Sequence, residues 1–279
     1  MNIIKIYRTR MKTILFSVFL LVMLFAVSSC DTDETQDVTT LTNLVMSDEF
    51  NIEGAPNPAI WTYDIGRGPN GDGWGNQELQ YYTDRTENVK VENGFLLITA
   101  KEETFEGVQY TSARLKTEGL FEQQYGRFEA RIRLPYGKGL WPAFWLLGND
   151  CEQNIWPQCG EIDIMEYLGD SPNVVFGSVH GPGYSAGEAE TKEYTLENDR
   201  FDTGFHVFGI EWGPDYINYY VDDALYNQIT PDDISGEWVF DHPFYIIMNV
   251  AVGGSFPGSP NEETVFPQTM VVDYVRVYK

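Results

Sequence analysis

Gly160-Glu161-Ile162-Asp163-Ile164-Met165-Glu166 sets three carboxylates on six residues with only apolar side chains between them. Ile162, Ile164 and Met165 favour an extended, half-buried strand. On a regular strand alternate residues share a face, so Glu161 and Asp163 point the same way. Position 165 should continue that face, yet it is Met, and the next acid comes one residue late. A bulge at Ile164-Met165 absorbs the extra residue and returns Glu166 to the face of the other two acids. Three carboxylates then line one wall, with the spacers buried behind it.

Four regular strand steps separate Cα atoms by roughly 13 Å. If both Glu side chains lean inward, the outer carboxylates end about 5–6 Å apart, close to the separation that nucleophile and acid need in retaining sugar hydrolysis. Like charges this close cannot all ionise freely, so one pKa rises toward a useful acid value. The plain alternative is a solvated acidic strand edge.

The rest of the chain reads as all-β. Gly126-Arg127-Phe128-Glu129-Ala130-Arg131-Ile132-Arg133-Leu134 and Phe95-Leu96-Leu97-Ile98-Thr99-Ala100 are alternating strands of a two-sheet sandwich. The 26 glycines and 14 prolines punctuate short β-rich runs. No long amphipathic helix pattern and no internal repeat stand out, and 279 residues suit one large domain after a leader.

Lys5, Arg8, Arg10 and Lys12 precede a 14-residue apolar run, Ile14 to Val27, too short for a comfortable membrane span and suited to a signal peptide. Met11 offers an alternative start. Ser28-Ser29-Cys30 looks like a bacterial lipobox with Cys30 as the lipidated residue, which makes residues 1–29 a lipoprotein signal peptide. Ordinary cleavage beside an incidental cysteine is the rival. Residues 30–42 read as an acidic flexible tether, and 43–279 as the catalytic domain. The chain is then an exported bacterial lipoprotein of the outer membrane, with the cell surface as a further destination. Asp31 would mean inner-membrane retention in enterobacteria.

Charge limits the partners. The net charge of −24 becomes −28 once the leader's four cations are lost, since residues 1–29 hold no acid. Nucleic acid and anionic membranes are poor partners for such a surface. The same field repels sulfated galactans and pectate-like polymers and favours a neutral glucan. Membrane contact is expected only through the lipid at Cys30, and a monomer is expected.

Cys151 and Cys159, eight positions apart in one loop of an exported chain, invite a disulfide. Two free thiols are the alternative. No histidine falls at metal-ligand spacing from them.

Taken together, Trp141-Pro142-Ala143-Phe144-Trp145, the Glu161–Glu166 cluster and Val272-Asp273-Tyr274-Val275-Arg276-Val277-Tyr278 resemble glycoside hydrolase family 16, and within it the bacterial laminarinases, which are endo-β-1,3-glucanases. Ser47-Asp48-Glu49-Phe50, Gly73 to Tyr82, Tyr110 to Arg114 and Asn249 to Gly254 extend the likeness over nearly the whole mature chain. The resemblance implies a concanavalin-like β-jelly roll of two antiparallel sheets with a concave cleft. It implies retaining hydrolysis of β-1,3-glucan, with Glu161 as nucleophile, Glu166 as acid/base and Asp163 as their companion.

By the same likeness Trp141 and Trp145 stack on sugar rings, where core packing is the rival, Trp156, Asn76 and Arg114 contact the glucan, and His180 serves the substrate site beside the catalytic carboxylates, where structural hydrogen bonding is the rival. No cofactor enters the chemistry, and Glu49, Gly94 and Asp273 would supply oxygens to a structural Ca²⁺. One departure is visible: laminarinases carry Asn-Trp-Pro-Gly where this chain has Ser255-Phe256-Pro257-Gly258. Alternatives on the same scaffold are a mixed-linkage β-1,3-1,4-glucanase, a galactan hydrolase, a transglycosylase or a non-catalytic lectin.

Overall fold

The computed structural model describes residues 41–222 and 224–279. The leader, Cys30 and most of the tether lie outside these described residues. β1 (Leu44–Asp48), β2 (Thr62–Asp64), β3 (Gln80–Tyr82), β4 (Val89–Glu92), β5 (Phe95–Phe105) and β6 (Val108–Ser112) come first. β7 (Arg114–Lys116), β8 (Glu122–Gln123), β9 (Gly126–Arg133), β10 (Leu140–Gly148), β11 (Glu161–Tyr167) and β12 (Val174–His180) follow. β13 (Glu190–Thr195), β14 (His206–Gly213), β15 (Tyr216–Val221), β16 (Ala224–Ile229), β17 (Phe244–Val252) and β18 (Gln268–Tyr278) complete the order.

Two sheets form a jelly-roll sandwich. One runs β16-β15-β14-β9-β18-β5-β6-β3, with β1 on β18 and β4 on β5. The other runs β13-β12-β11-β10-β17-β7-β2, with β8 on β17. Pairing is antiparallel except for β3 on β6, which is parallel.

Alternation decides which side chains meet between the sheets. In β9, Phe128, Ala130 and Ile132 enter the core, opposite the inward Val272, Val275 and Val277 of β18. β17 is buried at every position, yet it still alternates. Phe244, Ile246, Met248, Val250 and Val252 belong to the core, whereas Asn249 lies buried on the other face, beneath the tryptophans of β10. In β10, Leu140, Phe144 and Leu146 point inward, leaving Trp141 and Trp145 on the outer side of the sheet. Each large apolar side chain removed from water contributes roughly 1.5–3 kcal/mol. The core therefore fixes the register, and the register fixes what faces outward.

Candidate active site

β11 departs from regular pairing at one place. Against β10, Phe144 pairs with Met165 and Trp145 with Asp163, so Ile164 has no partner of its own. Against β12, Asp163 pairs with Ser178 and Glu166 with Phe176, three steps on one strand for two on the other. Ile164 and Met165 are consecutive and both enter the core. That bulge turns Glu166 to the face that Glu161 and Asp163 already share. Gly160, at the start of the strand, has φ +73, and a Cβ there would meet the Phe244 ring at 2.9 Å. Only glycine lets the chain enter β11 at this point without strain.

The acids are unequally sunk. Glu161 keeps 18 % of its side-chain surface exposed and Asp163 5 %, so Glu161 reaches the cleft while Asp163 lies beneath it. Trp156 donates its indole N–H to Glu161 Oε2 at 2.8 Å, and Trp141 donates to Glu166 Oε1 at 3.1 Å. His180 Nε2 lies 2.9 Å from Asp163 Oδ2 and 3.8 Å from Glu161 Oε1.

Burial is the main force on all three carboxyls. It raises Glu161, with the His180 charge opposing it. Burial, then the charge of Glu161, pushes Asp163 up to about 7. Burial, then the charge of Asp163, pushes Glu166 up to about 8. Burial opposes the charging of His180, while Asp163 and the surrounding acids favour it. A site at neutral pH thus holds a protonated Glu166 near a Glu161 that receives donors from its neighbours, the division of labour of acid and nucleophile.

A second polar group lies across β10, β17 and β7. The Arg114 guanidinium stacks between Trp74 at 4.6 Å and Trp145 at 4.8 Å, and Asp64 holds its Nε at 2.9 Å. Trp145 Nε1 donates to Asn249 Oδ1 at 2.9 Å, and Asn249 Nδ2 donates to the Tyr82 hydroxyl at 3.2 Å. Buried Glu78 accepts from Tyr82, Gln80 and Asn76 at 3.2, 2.6 and 3.2 Å. Gly73 permits the turn that delivers this segment, because a Cβ there would meet Glu78 N at 2.4 Å.

Asn76, Arg114 and Trp145 therefore belong to one network, Trp156 and His180 to the Glu161 end, and Trp141 to Glu166. Sequence reading missed Trp74, Glu78, Tyr82 and Asn249 as supports. A lone Asn inside the apolar run Phe244 to Val252 was the available signal for the last. Phe256, in the loop that departs from the laminarinase pattern, is 42 % exposed and packs edge-on against Trp141 at 5.5 Å and Phe176 at 5.6 Å.

Cys151 and Cys159 are bonded, with Cα atoms 5.0 Å apart, so the loop carrying Trp156 is closed beside Glu161. The calcium residues lie elsewhere, around β18 and the β4–β5 turn. Glu49 gives both carboxylate oxygens to Arg276 at 2.8 Å, and Asp273 Oδ2 accepts from Arg131 at 2.6 Å. Those side chains do not fit a cation site as they stand, since guanidinium groups already occupy three of their four oxygens.

The comparisons with known proteins agree with this geometry. The model of Glycosyl hydrolases family 16 matches residues 76–276. The chain belongs to glycosyl hydrolase family 16. This family 16 chain is 45 % identical over 271 residues to a beta-glucanase of Rhodothermus marinus, covering 94 % of this chain and 93 % of that one. It is 50 % identical to the catalytic domain of an endo-1,3-beta-glucanase (laminarinase) of Thermotoga petrophila RKU-1, with a TM-score of 0.81, covering 85 % and 97 %. The endo-beta-1,3-glucanase of Pyrococcus furiosus superposes with a TM-score of 0.82 at 48 % identity, covering 87 % and 98 %.

Proposed function

We propose that this glycoside hydrolase cleaves internal bonds of neutral β-1,3-glucan with net retention. The observation that carries the reading is the β11 bulge, which presents Glu161 and Glu166 on one face with Asp163 between them. Glu161 attacks the anomeric carbon while Glu166 protonates the departing oxygen, giving a glycosyl ester on Glu161. Glu166, now a carboxylate, takes a proton from water, which attacks the same carbon and frees Glu161. Asp163 hydrogen-bonds Glu161 and holds it in line. Trp141, Trp145 and Trp156 offer indole faces to pyranose rings, and Asn76, Arg114 and His180 offer polar contacts. No cofactor is needed for these steps.

A timed product profile tests the substrate. Laminarin should yield a ladder of oligosaccharides early, with lichenan and agarose cut far more slowly. Monosaccharide released from the outset would contradict internal cleavage, and preferential cutting of agarose would move the specificity to galactan.

The export reading belongs to the same proposal: a lipid on Cys30 and the acidic tether would hold the enzyme at the outer membrane or cell surface, acting as a monomer. Mass spectrometry of a detergent-extracted N-terminal peptide tests it, and a free Cys30 thiol would count against it. A structural Ca²⁺ stays a proposal through the remaining oxygens, Asp273 Oδ1 and the main-chain carbonyls of Glu49 and Gly94. A melting temperature unmoved by either chelator or added calcium would remove it.

A further inference from the structure

His180 is the last residue of β12, and it leads into a pinned turn. Gly181 and Tyr184 exchange backbone hydrogen bonds at 2.9 and 3.1 Å. The buried Tyr184 hydroxyl donates to Glu237 O at 2.7 Å, and Ser235 Oγ donates to Gly183 O at 2.9 Å. The chain then enters a short 3₁₀ turn, Ala186–Glu188, with Ala186 at φ +51. This left-handed conformation crowds an alanine Cβ against the following carbonyl, so the surrounding contacts must impose it. Its amide is thereby aimed at the histidine: Ala186 N–H donates to His180 Nδ1 at 3.0 Å.

A neutral imidazole has one donor and one acceptor nitrogen. With Nδ1 accepting from a main-chain amide, the ring's hydrogen resides on Nε2, which lies 2.9 Å from Asp163 Oδ2. We propose that the Ala186 amide locks His180 in the neutral Nε2–H tautomer, with that N–H turned toward Asp163 beside the Glu161 carboxylate. Asp163 in turn favours the charged form of Glu161 through the contact between their side chains. Trp156 donates to Oε2 of Glu161. The nucleophile is thus held by neighbouring groups, and no imidazolium is required to keep it charged.

The titratable groups facing the ring are Glu161, Asp163 and Glu166 of β11, and Trp156 packs on it from the preceding loop at 6.0 Å between ring centres. Those acids pull the ring toward its charged form. A second proton would sit on Nδ1, however, and set two N–H donors against each other across the 3.0 Å contact. The Ala186–Glu188 turn is exposed, but the Tyr184 and Ser235 anchors fix the chain just before it, so the amide keeps its aim and prevails. The same constraint disfavours a transition-metal ion among Glu161, Asp163 and His180, although their donor atoms all lie within 4.8 Å. Such an ion needs the Nε2 lone pair, and here Nε2 carries hydrogen. Ala186 and His180 are positioning residues in this scheme.

The inference rests on Glu161 being the nucleophile, but its central state is readable without substrate, so its failure is distinguishable from failure of the glucanase reading. The chain has three histidines, so ring ¹⁵N spectra of the whole protein are assignable with His206→Gln and His242→Gln variants. The expected result is a His180 with protonated Nε2 and bare Nδ1 from about pH 5.5 to about pH 8, the range in which an ordinary histidine titrates. Ala186→Gly keeps the amide and should keep that tautomer. Ala186→Pro removes the amide hydrogen and should let the ring charge within the same window, while lowering kcat roughly tenfold with KM nearly constant. Proline also disturbs a turn at positive φ, so the spectrum of the unaltered protein decides. Both nitrogens protonated at neutral pH, or hydrogen on Nδ1, would overturn the proposal.

Discussion

Trp141 stands beside Glu166 with its indole N–H donating to Oε1 over 3.1 Å. A tryptophan expected to serve only as a sugar platform thus also holds the acid. Its donor stabilises the charged form of Glu166 and restrains a pKa that burial drives up to about 8. Trp141→Phe keeps most of the ring and removes the donor. The alkaline limb of the kcat/KM profile should move to higher pH, and kcat at neutral pH should fall about threefold to tenfold. An unmoved limb would mean the contact has no hold on the proton.

Activity in the unaltered enzyme should fall as pH rises through about 8, where Glu166 loses its proton. The acid limb reports Glu161, which must be charged to attack. A bell-shaped profile of kcat/KM on laminarin checks both arms. Rising activity above about pH 9 would exclude Glu166 as the acid.

Stability carries the same signature with a definite sign. Folded Asp163 and Glu166 titrate at about 7 and about 8, above the 3.8 and 4.5 of the free groups. The folded state therefore binds their protons more tightly, and stability falls as pH rises from about 4 to about 8. Glu166→Gln removes that cost and should gain of order 1–3 kcal/mol at about pH 8.5 relative to its effect at about pH 4.5. Thermal melts at the two pH values are the measurement, and an equal effect at both would contradict the burial argument.

Glu78 anchors the second polar network, a role with no mark in the local sequence. Glu78→Leu leaves Asn76, Gln80 and Tyr82 without this acceptor, and the buried Gln80 and Tyr82 groups cost about 1–3 kcal/mol each when unpaired. KM for laminarin should rise several-fold with a smaller change in kcat, alongside a lower Tm. Unchanged KM would detach this network from substrate.

The disulfide joins cysteines 8 positions apart, a constraint of about 2–3 kcal/mol in the chain-entropy account. Cys151→Ser with Cys159→Ser should lower the melting temperature by several degrees. KM should rise more than kcat falls, because Trp156 is released from Glu161. A variant with native Tm and KM would show that the loop needs no bond.

How far the sequence foretold this arrangement depended on the range of each interaction. The bulge was legible because a period of two was broken once, by Met165, inside an otherwise regular strand. The strands β5 and β9 were legible from unbroken alternation. The parallel pairing of β3 with β6 was not, since partner choice across a sheet leaves no local mark on two short strands. Nor was the bond from Ala186 to His180, which depends on a backbone conformation that alanine seldom adopts. Glu49 and Asp273 were expected to face calcium; Arg276 and Arg131 reach them instead, from strands whose register only the folded sheet defines.

The most direct test of the central claim is to trap the intermediate. A 2-fluoro-laminaribiosyl donor with an activated leaving group slows release of the sugar ester, and peptide mass spectrometry then locates the label. Attachment to Glu161, with Glu166→Ala still accepting label from the activated donor, is the predicted result. Label on Glu166 or Asp163, or an inverted product with no adduct, would contradict the account.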